Sequence, residues 1–311
     1  MLIPQSLSYD SLTGLDTAAG LYTSFFPLLI YVILGTSRHL GVGAEAALSL
    51  LVGSALANSA TPEDRAIDAA VLTFLVGAIS LLMGLFRWGQ LDCLLSRATS
   101  RGFITGVALV VIVEQLPLAL GLTSKWTPSD STAIKFVFVM QHLYEAQLLP
   151  CLFSSIGVAF LVATSIIQQK FGSKNLFIRV FPSIVIVVVV SEMLAWGLAL
   201  DMPIVGDVRG GFVPPAAPQL TMERVSHLIT EAVIIVIIGY VEANIVAKEM
   251  ANKHAYTVSG NRELVAFGVA NLVACFFGAY PAFSSVPRTA VREEKRREKG
   301  KRKGRKGKKW I

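Results

Sequence analysis

Apolar residues along this chain come in long blocks that are separated by shorter polar stretches. A helix needs about 20 apolar residues to cross the roughly 30 Å hydrocarbon layer of a membrane, so each long block predicts a spanning helix. The long blocks lie at residues 17–37, 67–86, 103–123, 148–168, 180–200, 227–247 and 263–279. Shorter apolar segments lie at 1–9 and 43–58, and another helix is expected to start at 287. The pattern predicts an all-α polytopic membrane protein.

Composition agrees with this prediction and locates the charge. Hydrophobic residues make up 53% of the chain and charged residues only 16%, whereas soluble domains have about 45–50% and about 25%. Residues 292–311 hold 12 of the 28 Lys and Arg and 3 of the 21 Asp and Glu, which leaves a net charge of −2 on the rest. A nucleic-acid-binding function is therefore excluded for the body of the protein and stays open only for the tail.

Metal and cofactor chemistry find no support in the residue pattern. The three cysteines are widely spaced and odd in number, and the four histidines are scattered. Neither set has the spacing of a disulfide framework or of a metal site. We therefore expect no metal and no cofactor.

Two apolar segments are interrupted by glycine or proline, Gly41–Gly53 in the first half and Tyr280–Val291 in the second. In transporters built from repeats, such segments mark the binding site near the middle of the membrane. A helix that begins there leaves its first four N–H groups unpaired, and these donors together with the helix dipole attract an anion. A helix from about Ala44 would form half of such a site, although small residues here would also permit close helix packing.

The second interrupted segment contains a basic residue at the expected start of its helix. Pro287 suits the first helical position, and Arg288 follows it directly. A guanidinium group is always charged and offers five donors, which makes Arg288 the best candidate for binding an oxyanion. The alternative is an arginine at the membrane surface that precedes a basic tail.

Acidic residues inside the apolar blocks are costly unless they face a cavity or a partner. We expect Glu242, within 227–247, to pair with Arg288 and to carry a coupling proton; the alternative is a structural ion pair or a position at the helix end. Glu45, in the first turn of the other interrupted segment, would compete with a bound anion unless it is protonated or points away. Glu114 has no evident partner and is interpreted as a packing or pore-lining residue.

Seven motifs spread over residues 1–291 together resemble one family. They are Ile3–Tyr9, Gly20–Pro27, Gly35–Gly43, Ser100–Thr105, Gly239–Ala243, Asn261–Ala266 and Phe277–Ala282. They are similar to motifs of the sulfate permease (SulP) anion transporters, also called the solute carrier 26 family. The resemblance implies that family's seven-plus-seven inverted repeat, in which a core domain moves against a gate domain and two half-helices meet at the midplane.

The resemblance also implies a function and a site. It implies secondary active transport of sulfate or a similar oxyanion, coupled to a proton or to an exchanged anion, by a multi-pass protein in the lipid bilayer of the plasma or vacuolar membrane. Full-length members would form a homodimer, and transport breaks no covalent bond, so no enzyme is expected. The implied substrate-binding residues are Gln5, Tyr9, Val42, Gly43, Ala44, Ser285, Pro287 and Arg288. Glu242 falls on the family's proton-coupling position, and Glu45 is a modulator of the site.

Residues 292–311 depart from the resemblance. Where the family continues with the rest of an apolar tenth helix, four further helices and a STAS domain, this segment is highly charged and cannot remain in hydrocarbon. We expect residues 1–291 to form an incomplete transmembrane domain, followed by a disordered basic tail that arises from a premature end or a frame change. We also expect that the truncated chain alone does not transport.

Two alternative functions stay open from the sequence. The first is a membrane-anchored binding protein whose basic tail engages anionic lipid headgroups or nucleic acid, because polybasic segments bind anionic membrane surfaces. The second is a carrier of nucleobases or bicarbonate that shares the same architecture.

Overall fold

A computed structural model describes residues 2–89, 97–122, 132–171, 181–197, 211, 214–285 and 288–289. Its helices are α1 (Leu2–Thr13), α2 (Ala19–Leu34), α3 (Ala46–Ala55), α4 (Pro62–Leu85), α5 (Arg97–Ala119), α6 (Thr132–Gln141), α7 (Leu148–Phe171), α8 (Ser183–Gly197), α9 (Met222–His254) and α10 (Gly260–Ala274). Short 3-10 turns lie at Leu143–Glu145 and Cys275–Phe277. Two strands of two residues each, β1 (Val42–Gly43) and β2 (Phe283–Ser284), pair in antiparallel orientation.

Three helices in the described part of the chain are long and apolar enough to cross a membrane, namely α4, α7 and α9. Helices α4 and α9 begin about five residues before the apolar blocks that predicted them. Both have a threonine cap: the side chain of Thr61 accepts from the backbone N–H of Asp64, and that of Thr221 from the backbone N–H of Arg224. A capping hydroxyl satisfies an otherwise unpaired donor and so extends a helix into polar sequence.

Helix α3 is shorter than the apolar segment at 43–58 and starts later than predicted. Its first residue is Ala46 rather than Ala44, because Glu45 is in an extended conformation and its side chain accepts from the backbone N–H of Leu48 at 3.1 Å. Residues 42 and 43 are instead strand β1. The expectation that Glu45 lies in the first helical turn is therefore wrong, since its carboxylate caps the helix from outside.

Helix α6 is an element that the hydropathy pattern did not predict, since residues 124–147 lie between the apolar blocks at 103–123 and 148–168. It contains Lys135, whose Nζ lies 2.6 Å from Oε2 of Glu114 on α5, and both side chains are buried. Thr132 donates to the other carboxylate oxygen at 2.7 Å. Glu114 therefore has a partner, and this ion pair is what permits a charged residue in an otherwise apolar helix.

The chain divides into two compact units. The first contains the described residues of 6–105 and 207–289, and the second contains residues 3–5 and the described residues of 106–206. In the first unit, α10 packs against α4 and α2, and α9 packs against α4. Its core includes the fully buried side chains of Leu72, Val76, Ile235, Leu264 and Phe267. In the second unit, α7 packs against α8.

Helices α4 and α10 approach each other closely because each carries a glycine at the crossing. A Cβ atom at Gly268 would lie 2.6 Å from the backbone nitrogen of Leu81, and one at Gly77 would lie 2.7 Å from that of Leu272. Small residues at such contacts let helix backbones pack together in membranes.

We expect Gly268→Ala to lower the free energy of unfolding by about 1–3 kcal/mol, because the new methyl group must push α4 and α10 apart. The measurement is the melting temperature of the purified protein in detergent. Gly106→Ala, in helix α5, is the matched control, since a Cβ there meets nothing within 4 Å. Equal melting temperatures for the two variants would contradict the prediction.

Candidate functional site

The two interrupted segments meet in the first compact unit through the β1–β2 pair. Val42 is opposite Ser284, and Gly43 is opposite Phe283. The backbone N–H of Ser285 adds a further hydrogen bond to the carbonyl of Gly41 at 2.8 Å. The pairing places side by side two chain breaks that lie about 240 residues apart in sequence.

Asn271 on α10 positions the chain that leads into β2. Its side chain accepts from the backbone N–H of Ala282 at 2.8 Å and donates to the carbonyl of the same residue at 3.0 Å. Thr23 on α2 accepts from the backbone N–H of Tyr280 at 2.9 Å. Because non-helical backbone at membrane depth must be satisfied by the protein itself, these polar side chains allow the segment to be buried.

Glu263 on α10 accepts hydrogen bonds from the chain that precedes β1 and so positions that chain. Its Oε1 accepts from the backbone N–H groups of Thr36 at 2.9 Å and Ser37 at 3.1 Å, and also from the hydroxyl of Thr36. Its Oε2 accepts from the hydroxyl of Tyr31 at 2.6 Å. This fully buried carboxylate therefore holds the turn between α2 and β1 against α10.

A helical turn follows β2, as the sequence predicted for the second segment. Thr289 donates to the carbonyl of Ser285 with its backbone N–H at 3.1 Å and with its hydroxyl at 2.9 Å. The same hydroxyl accepts from the backbone N–H of Gly41 at 3.0 Å. Pro287, the predicted first helical residue, lies outside the described residues.

Arg288 turns its guanidinium group toward the start of α3. Its Nη2 donates to the carbonyl of Ala44 at 2.7 Å, and its Nη1 donates to the hydroxyl of Ser24 at 3.2 Å. Gly43 has a φ of +144°, and a Cβ there would lie 2.9 Å from both terminal nitrogens of Arg288. Only glycine therefore permits this close approach of the guanidinium to β1.

Several buried donors on Arg288 and on the segment that precedes it have no partner in the described part of the chain. Within the described part of the chain, Nε of Arg288 and the hydroxyls of Ser284 and Ser285 are buried without a hydrogen-bond partner. Buried polar groups are nearly always paired, so unsatisfied ones indicate a place for a ligand. A charged guanidinium next to hydroxyl donors and helix starts suits an anion.

Tyr9, in the apolar segment at 1–9, is a further residue that interacts with Arg288. It is half-buried on α1 and interacts electrostatically with Arg288 and Tyr280. Gln5 lies on the same helix with a half-buried side chain, but it groups with the second compact unit. The role of Gln5 in substrate binding therefore stays a prediction.

Glu242 on α9 lies against Glu45 rather than against Arg288. The two carboxyl groups interact electrostatically with each other, and both side chains are buried. The expected ion pair between Glu242 and Arg288 is not formed among the described residues, because the guanidinium is directed to the carbonyl of Ala44 and the hydroxyl of Ser24.

Almost the whole chain matches one protein family. The model of the sulfate permease family matches residues 1–296. The chain belongs to the sulfate permease family.

Three curated relatives are similar to nearly the whole of this sulfate permease family member. The chain is 30% identical to "Prestin" of Danio rerio over 94% of its own length and 42% of that protein. It is 31% identical to "Solute carrier family 26 member 6" of Homo sapiens, over 94% and 40% of the two lengths. It is 29% identical to "Sulfate transporter" of Homo sapiens, over 94% and 44%. The chain thus spans less than half the length of these relatives.

Solved structures confirm the predicted all-α membrane transporter fold. The murine Solute Carrier 26 family member A9 anion transporter, in its inward-facing state, matches with a TM-score of 0.83 and 27% identity, over 94% of this chain and 51% of that one. The transmembrane domain of the cyanobacterial bicarbonate transporter BicA matches with a TM-score of 0.75 over 94% and 73%. At 16% identity, the second match supports the fold alone. The chain is an integral, multi-pass membrane protein.

Sequence reasoning missed three residues that build the site of this sulfate permease family member, namely Ser24, Glu263 and Asn271. Each is a buried polar side chain inside an apolar helix. That position is the signal that could have identified them, because a polar group in such a place needs a specific partner.

Proposed function

We propose that this protein supplies the anion-binding part of a transporter that moves sulfate or a related inorganic anion across a membrane, by proton symport or by anion exchange, and that it catalyses no covalent reaction. The observation that carries the proposal is the position of Arg288, whose guanidinium lies at the start of α3 beside buried donors that the chain itself does not satisfy. Its family relatives include proteins named as sulfate and anion transporters.

The proposed substrate site combines backbone and side-chain donors. Val42, Gly43 and Ala44 form the approach to α3, and Ser285 and Arg288 belong to the matching approach in the second half. Pro287 is proposed as a further member from the sequence alone. Tyr9 lies beside Arg288, and Gln5 is proposed from the family resemblance. An oxyanion placed here would receive the Nε donor of Arg288 and the hydroxyl of Ser285.

The alternative of a membrane-anchored binding protein with a basic tail is not favoured. Family membership extends over the membrane segments that carry the site, and the site contains buried donors of its own. Glu242 is proposed as the group that carries a proton, because it is buried on α9 and interacts with a second buried carboxyl group.

Equilibrium binding of radiolabelled sulfate to the purified chain in detergent tests this proposal. We expect saturable binding that unlabelled sulfate displaces and uracil does not, because a guanidinium with hydroxyl donors selects a negative oxyanion over a neutral ring. Displacement by bicarbonate would widen the substrate class to other inorganic anions. Displacement by uracil, or the absence of saturable binding, would contradict the proposed function.

A further inference from the structure

Glu45 occupies the place at which the helix start of α3 would receive an anion. Its carboxylate accepts from the backbone N–H of Leu48 at 3.1 Å, and the backbone N–H groups of residues 46 and 47 interact with it as well. These are the unpaired donors of the first helical turn, and a negative charge next to them is stabilised by the helix dipole. The helix start is thus already filled by a charge of the chain itself.

A second buried carboxyl group lies against Glu45. Glu242 interacts electrostatically with Glu45, and its Oε2 has no hydrogen-bond partner within the described part of the chain. Only 4% of Glu45 and 5% of Glu242 are exposed. Two carboxylates in contact and shielded from water cannot both be ionised without a large cost, so the pair holds at least one proton.

The surroundings decide which of the two carries the remaining negative charge. Arg288 interacts electrostatically with Glu45, and so do the N–H groups of α3. Tyr9 and Tyr280 interact electrostatically with Arg288, and Asp10 on α1 does so with Tyr280. Glu242 has Glu45 as its charged neighbour. The arrangement therefore places the negative charge on Glu45 and the shared proton on Glu242.

We propose that Glu45 is a tethered counter-anion that the substrate displaces by driving a proton onto it. Without substrate, the Glu45 carboxylate accepts from the N–H groups of α3 and neutralises Arg288. When an oxyanion arrives, a proton from solvent binds the Glu45 carboxylate, the N–H donors of α3 pass from Glu45 to the anion, and the anion replaces Glu45 as the negative charge near Arg288. Each bound anion then brings one proton, and the loss of the anion returns that proton to solvent.

This inference rests on the proposed anion site and adds the coupling to it. In particular, it makes Glu45, and not Glu242 alone, the group that takes up the proton on binding. Glu242 stays protonated, so that Glu45 and Glu242 together never carry more than one negative charge.

The test is sulfate binding to the full chain in detergent at several pH values, with the proton uptake measured by calorimetry in buffers of different ionisation enthalpy. For the wild type we expect about tenfold tighter binding for each unit by which pH is lowered, which is the linkage of one proton per anion. Glu45→Gln keeps an acceptor for the N–H of Leu48 but carries no charge. We expect it to bind sulfate more tightly than wild type at neutral pH and to lose most of the pH dependence and proton uptake.

Glu242→Gln and Glu249→Gln are the comparison variants. In Glu242→Gln the Glu45 carboxylate remains, so the pH dependence of binding should persist. Glu249 is exposed on the same helix and pairs with Lys253, so Glu249→Gln should bind sulfate as the wild type does. Sulfate binding that is independent of pH in the wild type, or proton uptake that is unchanged in Glu45→Gln, would overturn the role of Glu45 and leave the anion site standing. A failure of every variant to bind sulfate would overturn both proposals.

Discussion

Replacing Arg288 with alanine is expected to weaken sulfate binding by roughly 30-fold or more, since a buried, hydrogen-bonded charge that contacts a ligand is worth at least about 2 kcal/mol. The guanidinium supplies both the positive charge and the donors that face the start of α3. Its removal leaves an anion with hydroxyl and backbone donors only. The measurement is equilibrium binding of radiolabelled sulfate in detergent.

Two further variants separate charge from geometry in this prediction. Arg288→Lys keeps the positive charge but has no planar fork, so we expect an intermediate affinity. Arg262→Ala removes the same charge from an exposed position on α10 and should leave binding unchanged. Wild-type affinity in Arg288→Ala, with a melting temperature equal to that of wild type, would show that Arg288 does not contact the anion.

Replacing Glu263 with alanine is expected to lower the free energy of unfolding by about 3 kcal/mol or more. The change leaves the hydroxyl of Tyr31 and the backbone donors of Thr36 and Ser37 without an acceptor in a buried place, and each such donor costs about 1–3 kcal/mol. Because these donors lie in the turn before β1, sulfate binding should be lost together with the stability. The melting temperature and sulfate binding in detergent measure both effects.

Glu249→Ala is the matched control for Glu263→Ala. It removes an acidic side chain of the same size from the exposed face of α9, where its partner is Lys253. An exposed ion pair of this kind contributes about 0.5 kcal/mol or less. If both variants melt at the same temperature, the four hydrogen bonds of Glu263 do not hold the turn in place.

The sequence predicted a helix best where its apolar block is not interrupted by charged residues. The block at 148–168 overlaps α7 closely, because burial in hydrocarbon demands continuous apolar side chains. Helix α6 was not predicted, because Lys135 interrupts its apolar pattern. Its charge is tolerated only through Glu114, which lies 21 residues away in sequence.

The candidate site was predictable in its residue types but not in its connections. Glycines at 41 and 43 and the Pro287-Arg288 pair mark two chain breaks in the sequence. The partner of Glu242 was predicted incorrectly, because Glu45 and Arg288 are equally plausible partners until the strands are paired. The β1–β2 register is what directs Arg288 to Ala44 and leaves Glu45 facing Glu242.

By itself, the sequence determined that the chain is an all-α membrane protein of the sulfate permease type, with two interrupted segments and a small number of buried ionisable residues. Those features follow from local composition, because hydrocarbon excludes charge and unpaired backbone wherever they occur. Only the tertiary structure decided which polar groups meet. The pairing of Glu45 with Glu242, the hydrogen bonds of Glu263 to the turn before β1 and the approach of Arg288 to Gly43 all join residues about 197 to 245 positions apart, and such contacts depend on packing that no local pattern encodes.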